Sequence, residues 1–252
     1  MRQVALITGG QRGIGLGIAE ALVKVGWTVA ITSPVAAAAA EVRAVLNHLG
    51  PHAVYVQQDL ADITSRAQVI AEVEARAGAI DALIGNAGIP SPVRGDLLDL
   101  SAENYDAVMS VNTRGTFYFA QAVAKRMVAA PSDRFRSITF VTSVSAEVAS
   151  IERADYCISK AASAMAAKLF ASRLASEGIS VFDLRPGIIK TPMTSPKSAT
   201  YGALIAEGLV PARRWGTPED VGTTVASLVS GKHPFSTGAV IPVDGGLGLH
   251  RL

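Results

Sequence analysis

A serine, a tyrosine and a lysine within residues 143–160 have the types and the spacing of a proton-transfer site. Tyr156 and Lys160 are one helical turn apart, so on a helix both side chains project from the same face. A cation beside a phenol favours the phenolate form and lowers the phenol's pKa from its usual value of about 10. With Ser143 upstream, the pair is a candidate general acid near neutral pH.

A second signal is the glycine-rich turn from Thr8 to Gly15, with glycines in a G-x-x-x-G-x-G pattern. It lies between a predicted strand and a predicted helix. Glycines let a backbone approach a pyrophosphate closely, and the helix N-terminus supplies free N–H groups. A tight structural turn is the alternative, but the position after the first strand favours nucleotide binding.

A third signal is the small-residue stretch from Gly85 to Gly88, which follows the fourth predicted strand. In an open parallel sheet, ligands bind beyond the carboxyl ends of the strands, and small residues leave room for a cofactor there. Asn86 has two interpretations that the sequence leaves open: it lines the cofactor site, or it holds two strand ends together.

Short apolar runs alternate with helical stretches along the whole chain. This alternation predicts an α/β fold of Rossmann type, a doubly wound parallel sheet of about seven strands with helices on both faces. The predicted strands are residues 4–8, 28–32, 53–57, 82–85, 137–142, 179–184 and 239–243. The predicted helices are residues 13–25, 35–49, 62–77, 101–130, 154–176 and 218–230.

Residues 1–252 read as a single catalytic domain, because no linker, repeat or low-complexity segment interrupts the pattern. The one long irregular segment is 186–214, and a loop of that length in a compact domain is typical of a functional lid. We expect a substrate lid at about residues 190–214, containing a short helix at 201–207. Met193 and Tyr201 either line this lid or serve only in packing.

Composition narrows the class of function. Apolar residues make up 49% of the chain, which argues against disorder, and the net charge of +2 comes without a Lys/Arg run of the kind that binds nucleic acid. No apolar run approaches the roughly 18 residues of a membrane span. The single cysteine, Cys157, is expected to be a small buried residue and suits a reducing cytoplasm. The four histidines are scattered without metal-ligand spacing.

Several motifs occur in the order typical of one family, and the chain resembles the short-chain dehydrogenase/reductases over nearly its whole length. Within that family it looks most similar to the bacterial 3-oxoacyl-[acyl-carrier-protein] reductase branch. The motifs are the glycine-rich turn, Asp59-Leu60, Asn86-Ala87-Gly88, Val111-Asn112, Ser143, Tyr156 with Lys160, Pro186-Gly187 with Thr191, and residues 243–246.

The resemblance implies a role for each catalytic candidate. Tyr156 protonates the carbonyl oxygen in reduction, and Lys160 lowers the tyrosine's pKa and holds the nicotinamide ribose. Ser143 orients the substrate oxygen, and Asn112 stabilises a water that connects Lys160 to solvent. Because the nicotinamide supplies the hydride, the protein's task is orientation and proton supply.

The resemblance also implies a set of cofactor contacts. Asp59 faces the adenine amine, Asn86 lies near the adenosine ribose, and Thr191 meets the carboxamide or a phosphate. The expected cofactor-binding residues are Gly9, Gln11, Arg12, Gly13, Ile14, Gly15, Ser33, Asp59, Leu60, Asn86, Ala87, Gly88, Tyr156, Lys160, Pro186, Gly187, Ile189 and Thr191. No metal site is expected.

The end of the second predicted strand bears on the choice of nicotinamide cofactor. An acidic residue there selects NAD, but this chain has Ser33, which would not repel a 2′-phosphate. Arg12 in the glycine-rich turn is a candidate partner for that phosphate. Pro34 stands where many NADP-using relatives carry a basic residue. NADP(H) is favoured, with NAD(H) as the alternative.

The sequence leaves the substrate open. The leading hypothesis is a carbonyl reductase or alcohol dehydrogenase, and the narrower choice of substrate is a 3-oxoacyl thioester. The rival substrate class is a free sugar, polyol or ketone. A third hypothesis is a nucleotide-binding protein without catalytic activity. An acidic acyl-carrier protein would need basic residues at the active-site rim. The candidates are Arg126, Arg134, Arg136, Arg213 and Arg214.

The helix after Tyr156 is rich in alanine, and small side chains allow two helices to approach closely. The family resemblance implies a homotetramer in which the helices at 101–130 and 154–176 pair across a two-fold axis. Packing of the alanines inside one chain is the alternative.

Overall fold

Seven parallel strands form one sheet in the order β3-β2-β1-β4-β5-β6-β7. The computed structural model describes residues 2–250; residues 1, 251 and 252 of the expected domain lie outside the described residues. The strands are β1 (Val4–Thr8), β2 (Thr28–Ser33), β3 (Ala53–Gln57), β4 (Ala82–Gly85), β5 (Arg136–Val141), β6 (Ile179–Pro186) and β7 (Val240–Val243). The predicted doubly wound α/β fold is confirmed.

Helices cover both faces of the sheet, because successive strand residues point to opposite sides and both sides are apolar. One core holds α3, α5 and α6 against the sheet, and the other holds α1, α2 and α8. The α-helices are α1 (Gly13–Lys24), α2 (Ala40–Leu49), α3 (Arg66–Ala77), α4 (Ala102–Met109), α5 (Thr116–Ala129), α6 (Ala154–Leu174), α7 (Ser198–Ala206) and α8 (Pro218–Val229). Within residues 2–250, no helix combines the length and apolar character needed to cross a membrane.

The strand order reverses between β1 and β4. The chain builds outward from β1 to β3 on one side, then returns to the centre and builds outward from β4 to β7 on the other. The connections on the two sides diverge at that point, which leaves a crevice beyond the carboxyl ends of β1 and β4. The glycine-rich turn follows β1 and Asn86 follows β4, so both lie at this crevice.

The start of α2 differs from the prediction. The helix was expected from residue 35, directly after Pro34, but it begins at Ala40. The Val35 N–H donates to the Ser33 hydroxyl at 3.3 Å, and the Tyr55 hydroxyl donates to the Val35 carbonyl. These bonds hold the backbone after β2 in a non-helical path, and the contact from Tyr55 comes from a distant strand.

The start of α3 also differs, since it begins at Arg66 rather than at residue 62. The Asp62 carboxylate accepts the Thr64 N–H at 2.9 Å and the Thr64 hydroxyl at 2.6 Å, which closes a turn before the helix. Because these bonds hold the carboxylate, the pKa of Asp62 lies below its ordinary value. The other predicted strands and helices match within a few residues.

The long helical region predicted at 101–130 is present, but a π-helical segment, Ser110–Gly115, separates α4 from α5. The predicted serine cap is confirmed, because the Ser101 hydroxyl accepts the Asn104 N–H. Gly115 ends the segment where the chain after β3 crosses it: a Cβ there would lie 2.2 Å from the Leu60 carbonyl oxygen. This close crossing needs a residue without a side chain.

Helices α1 and α8 cross at two glycines. A Cβ on Gly17 would lie 2.5 Å from the Pro218 side chain, and one on Gly222 would lie 2.3 Å from the Gly17 carbonyl oxygen. The helices therefore meet backbone to backbone beneath the crevice, with no room for a methyl group. No pattern in the sequence predicted this contact.

We expect Gly222→Ala to lower the free energy of unfolding by about 1–3 kcal/mol, because a methyl group would force the two helices apart. Urea denaturation monitored by circular dichroism measures the change. Gly202→Ala in α7 is the matched control, since no heavy atom lies within 4 Å of the Cβ position and alanine favours a helix. Equal stability of the two variants would contradict the tight crossing.

Candidate active site

Helix α6 carries the predicted tyrosine–lysine pair, and the structure brings the two side chains together. The Lys160 ammonium nitrogen lies 5.6 Å from the centroid of the Tyr156 ring. It also donates a hydrogen bond of 3.1 Å to the carbonyl oxygen of Val141, the last residue of β5. Lys160 is buried whereas Tyr156 is partly exposed, so the lysine is held inside the protein and part of the tyrosine is accessible from outside.

Ser143 lies just beyond β5, on the wall of the crevice next to the start of α6. It is 8% exposed, and its hydroxyl oxygen accepts the N–H of Ser145 at 3.0 Å. This bond caps a short 3₁₀ turn, Val144–Ala146, and fixes the hydroxyl. The hydroxyl hydrogen stays available to donate to a substrate oxygen.

Asn112 lies in the π-helical segment and is buried, and its side chain bonds to two separate parts of the chain. Its amide nitrogen donates to the Ile89 carbonyl at 2.9 Å and to the Ser159 hydroxyl at 3.1 Å, and its amide oxygen accepts the Ile89 N–H at 2.8 Å. Asn112 therefore joins the segment after β4 to α6 one residue before Lys160. Its backbone carbonyl accepts the Ser163 hydroxyl. The water relay remains a prediction.

Gly88 keeps the floor of the crevice open beside this asparagine. A Cβ at Gly88 would lie 3.2 Å from the Asn112 amide oxygen and 3.5 Å from the Lys160 nitrogen. The predicted catalytic and small-residue motifs therefore converge, although residues 88 and 160 are far apart in the sequence. A larger side chain here would press on the lysine.

The glycine-rich turn has the geometry of an anion cradle. Gly9 and Gly13 have φ of 67° and 55°, a left-handed conformation that favours glycine. A Cβ on Gly15 would lie 2.1 Å from the Gly9 carbonyl oxygen, so the turn folds tightly on itself. No side chain caps the N-terminus of α1, and Arg12 is exposed at its edge. Free helical N–H groups and a positive dipole end fit a pyrophosphate.

The other glycine-turn residues, Gln11 and Ile14, are half-buried. The Gln11 side-chain oxygen is buried without a hydrogen-bond partner among the described residues. Such an orphaned acceptor in a cradle is consistent with a ligand that supplies the missing donor. The donors and shape of this turn therefore suit a dinucleotide.

Asn86 does hold strand ends together, as one of its two interpretations required. Its side-chain nitrogen donates to the carbonyls of Thr8 and Gly9 at 2.9 and 3.2 Å. The Thr8 hydroxyl in turn accepts the N–H groups of Asn86 and Ala87 at 3.1 and 3.0 Å. Four bonds thus join the ends of β1 and β4. The predicted contact with the adenosine ribose remains a prediction.

The end of β2 contains a ring of hydrogen bonds instead of an acidic residue. Ser33 is 3% exposed, and its hydroxyl lies 2.7 Å from the Tyr55 hydroxyl and accepts the Val35 N–H. Burial raises the pKa of Tyr55, so its phenol stays neutral. The Ser33 hydroxyl is therefore occupied within the protein.

The segment after β3 places Asp59 at the surface and Leu60 in the core. The Asp59 carboxylate accepts the Ala61 N–H at 2.9 Å, which fixes the start of the turn. Leu60 is 7% exposed and packs under Gly115. Asp59 is thus exposed near the end of β3, as its predicted contact with adenine would require.

The lid side of the crevice begins where β6 ends. The Gly187 N–H donates to Val243 at 3.1 Å, and Ile189 is buried and pairs with Gly216 in a short parallel bridge. Thr191 then approaches the glycine-rich turn, since a Cβ on Gly13 would lie 3.4 Å from the Thr191 Cβ. The predicted phosphate turn and Thr191 therefore face each other across the crevice.

The far end of this segment is fixed to α8. The Arg214 guanidinium binds both carboxylate oxygens of Asp220 at 2.7 and 2.9 Å, and Asp220 forms a reciprocal capping pair with Thr217. The Arg214 hydrogen bonds hold the pKa of Asp220 well below its usual range. The predicted short helix is present as α7, and the ring of Tyr201 meets Trp215 edge-on.

Three of the arginines considered for carrier-protein docking lie at the wrong edge of the sheet. Arg136 begins β5, so it lies at the amino ends of the strands, whereas the crevice lies at the carboxyl ends. Arg136 is also buried, and its guanidinium donates to the Met127 carbonyl. The other two are already paired: Arg126 with Glu74, and Arg134 with Asp81. The docking hypothesis was wrong for these three. Only Arg213 and Arg214 lie near the lid.

Sequence reasoning missed two charged residues next to Tyr156. Asp155 is 1% exposed; one of its oxygens accepts the Ser91 hydroxyl and the Tyr156 N–H. The Arg153 guanidinium lies over the Tyr156 ring. Arg153 precedes Tyr156 by three residues, and that helical spacing was a signal in the sequence. Nothing in the sequence marked the contact between Asp155 and Ser91.

Cys157, expected to be buried, is half-buried beside Val148 and Ser150.

The carboxyl edge of the sheet therefore carries a glycine-rich turn that suits a dinucleotide, and helix α6 carries a candidate proton donor. Gly88 lies near both Asn112 and Lys160, since a Cβ there would be 3.5 Å from the Lys160 nitrogen. Among residues 2–250, no group of three or more His, Cys, Asp or Glu side chains is arranged to hold a metal ion.

Known proteins resemble this chain along its full length. The family model described as enoyl-(acyl carrier protein) reductase matches residues 9–248. The 3-oxoacyl-[acyl-carrier-protein] reductase MabA of Mycobacterium tuberculosis is 32% identical over 247 residues, which cover 97% of this chain and 92% of that protein.

Solved structures agree with this likeness. A 3-oxoacyl-[acyl-carrier protein] reductase from Brucella melitensis in complex with NAD is 46% identical, with a TM-score of 0.96 over 100% of this chain and 99% of that one. A protein from Agrobacterium tumefaciens, provisionally named a 2-deoxy-D-gluconate 3-dehydrogenase and solved with NADP, is 30% identical, with a TM-score of 0.84 over 97% of this chain and 96% of that one.

Proposed function

We propose that this chain, which belongs to the short-chain dehydrogenase/reductase family, transfers a hydride between NADP(H) and a carbonyl or secondary alcohol. One observation carries the proposal: the Lys160 ammonium, held by a bond to Val141, lies 5.6 Å from the ring of a partly exposed tyrosine at the mouth of a dinucleotide crevice. That arrangement suits a proton donor for a carbonyl oxygen.

Each residue of the site has a role in the proposed reduction. The nicotinamide, when bound, supplies the hydride that adds to the carbonyl carbon. The Tyr156 hydroxyl gives its proton to the carbonyl oxygen, and the Ser143 hydroxyl donates a hydrogen bond that orients the same oxygen. Lys160 stabilises the phenolate that remains. Asn112, bonded to Ile89 and Ser159, keeps the segment after β4 and helix α6 in register.

NADP(H) is the proposed cofactor, with NAD(H) as the alternative. The last residue of β2 is Ser33 and not a carboxylate that would repel a 2′-phosphate, and exposed Arg12 stands at the edge of the phosphate cradle. The Agrobacterium relative was solved with NADP, but the more similar Brucella structure contains NAD. Because the Ser33 hydroxyl is already hydrogen-bonded to the Tyr55 hydroxyl, we expect Arg12 to distinguish NADPH from NADH.

The proposed substrate is a 3-oxoacyl thioester. Relatives from Mycobacterium and Brucella carry the name of 3-oxoacyl-carrier-protein reductases. Exposed apolar side chains on the segments around the crevice suit an acyl chain, namely Val93, Leu97, Val148, Ile151, Met193, Leu204 and Leu209. A free sugar, polyol or ketone is the second candidate, and the sugar dehydrogenase name of the Agrobacterium relative favours it.

We also propose that residues 1–252 act as one catalytic domain, with a lid at about 190–214 that closes over the substrate. The segment resembles a compact surface loop. Its ends are joined by a bridge between Ile189 and Gly216, and it contains helix α7. The proposed location is the cytoplasm, which suits the free thiol of Cys157.

A homotetramer is the proposed assembly, although Ala164, Ala166 and Ala167 of α6 are buried inside the chain, where Ala166 and Ala167 belong to one of the two cores. Ala161 is exposed and Ala162 is half-buried. The exposed face of α6 is instead apolar: Met165 and Leu169 are 54% and 59% exposed, one turn apart. An apolar helical face of this kind is typical of a helix that packs against a second copy.

The catalytic proposal predicts that Tyr156→Phe lowers kcat by roughly 10²–10⁴-fold, because the proton donor is lost. NADPH binding, followed by fluorescence titration, should stay within about threefold. Tyr118→Phe, an exposed tyrosine on α5, is the control and should keep full activity. Wild-type protein that turns over no member of a broad carbonyl and alcohol panel would instead favour the non-catalytic binding protein.

The cofactor proposal predicts that Arg12→Ala weakens NADPH binding by roughly tenfold or more and NADH binding by less than about threefold, because only NADPH carries the 2′-phosphate. Lys24→Ala removes a charge from the other end of α1 and should change neither affinity. Calorimetric titration of NADPH and NADH into each variant measures both changes in affinity. Equal losses for NADPH and NADH, or tighter NADH binding by the wild type, would refute it.

The assembly proposal predicts a mass of about four chains by light scattering at micromolar concentration. Leu169→Glu should reduce that mass, because a charge would be buried in the apolar contact. Phe235→Glu changes a fully exposed residue outside α6 and should leave the mass unchanged. A monomer in the wild type contradicts the proposal.

A further inference from the structure

Tyr156 has a second cation beside it, in addition to Lys160. Arg153 lies immediately before α6, and its guanidinium carbon is 5.7 Å from the centroid of the Tyr156 ring. The Lys160 nitrogen is 5.6 Å from the same centroid. Arg153 is thus one helical turn before the tyrosine, and Lys160 one turn after it. The proposed reduction uses only Lys160, so Arg153 has no role in it so far.

Arg153 contacts the same short turn that holds Ser143. Its Nη2 atom is 3.5 Å from the Ser145 hydroxyl, and its Nε atom is 3.4 Å from the Ser150 hydroxyl. The Ser145 N–H in turn binds the Ser143 hydroxyl. The guanidinium is therefore close both to the ring of the proposed proton donor and to the turn that holds Ser143.

Its charge is not matched by an acid. Within residues 2–250, no carboxylate oxygen lies within 4 Å of Arg153, whereas Arg185 and Arg214 each have such a partner. Two long bonds to neutral hydroxyls use two of its five N–H donors. Arg153 also precedes the first residue of α6, where a cation opposes the helix dipole. A half-buried cation that has no acidic partner and that opposes the helix dipole is suited to bind an oxygen of a ligand.

We propose that Arg153 binds an oxygen that the substrate carries on the carbon two positions from the reacting carbonyl carbon. Tyr156 and Ser143 bind the reacting oxygen, and the guanidinium beside both of them is placed for a second acceptor on the same small fragment. A 3-oxoacyl compound has such an acceptor at C1, either a thioester carbonyl or a free carboxylate. Simple ketones lack it. This inference rests on the proposed function and names its substrate class.

The surroundings of Arg153 fit this chemistry. Val148 and Ile151, on the same segment as Ser145 and Ser150, are 47% and 65% exposed. A polar contact close to the reacting carbon, next to apolar side chains, suits a substrate with two oxygens at one end and a carbon chain beyond them. A polyol, with hydroxyls along its length, matches this pattern less well.

The test compares three carbonyl substrates with the full-length enzyme and NADPH: the N-acetylcysteamine thioester of acetoacetate, free acetoacetate, and 2-pentanone, which lacks the C1 oxygen. Arg153→Ala should lower kcat/KM for at least one of the two C1-oxygen substrates by roughly ten- to a hundredfold, mainly through KM. The value for 2-pentanone should change by less than about threefold. Arg153→Lys should restore part of the loss, because it keeps the charge.

The outcomes separate the possibilities. A loss confined to the thioester or to acetoacetate identifies the source of the bound oxygen, and either supports the inference. An equal loss of kcat for all three substrates means that Arg153 acts only through Tyr156, and no loss means that it does not act; both overturn it. Arg94→Ala, an arginine of the segment after β4, controls for general loss of positive charge.

The failure of the proposed function has a different signature. Wild-type enzyme that reduces 2-pentanone but neither 3-oxo compound overturns the inference and leaves carbonyl reduction intact. Wild-type enzyme that reduces none of the three, nor any member of the broad panel, overturns the proposed function itself. Thermal melting of each variant shows that the chain is folded before rates are compared.

Discussion

The hydrogen bonds between the ends of β1 and β4 are the constraint on which the crevice depends. At this point the strand order reverses, and the Asn86 side chain and the Thr8 hydroxyl join the two strand ends directly. The glycine-rich turn begins at Thr8, within this junction, and Gly88 follows two residues after Asn86. Both sides of the proposed dinucleotide site therefore begin at one small set of half-buried bonds.

The proton donor is fixed by a second, separate set of contacts. Lys160 reaches down to the end of β5, and Asn112 reaches across to the segment after β4. Helix α6 is thereby tied to the end of β5 and to the segment after β4, through Lys160 and through the bond between Asn112 and Ser159. The phenol keeps its position because its neighbours are held, and its own hydroxyl is left for the substrate.

Much of the fold and part of the site could be predicted because their signals are local. The strands follow from apolar runs, the parallel sheet follows from the helices between them, and the pairing of Tyr156 with Lys160 follows from one helical turn. The order of the strands within the sheet was not predicted. The start of α2 could not be predicted, because Tyr55 on another strand decides it. Distant contacts of this kind leave no local pattern. Arg136 is a different case: it immediately precedes the strand predicted at 137–142, so the sequence already placed it at the amino end of that strand, away from the edge where ligands bind.

The bridge between Ile189 and Gly216 has an evolutionary consequence. It brings the two ends of the segment that contains α7 together at its base, with bonds from Lys190 to Gly216 and from Gly216 to Ile188. Closing the base fixes the ends whatever the length or composition of the residues between them. New residues in this segment can therefore change which substrates the protein accepts, while the sheet, the cofactor cradle and the proton donor stay as they are.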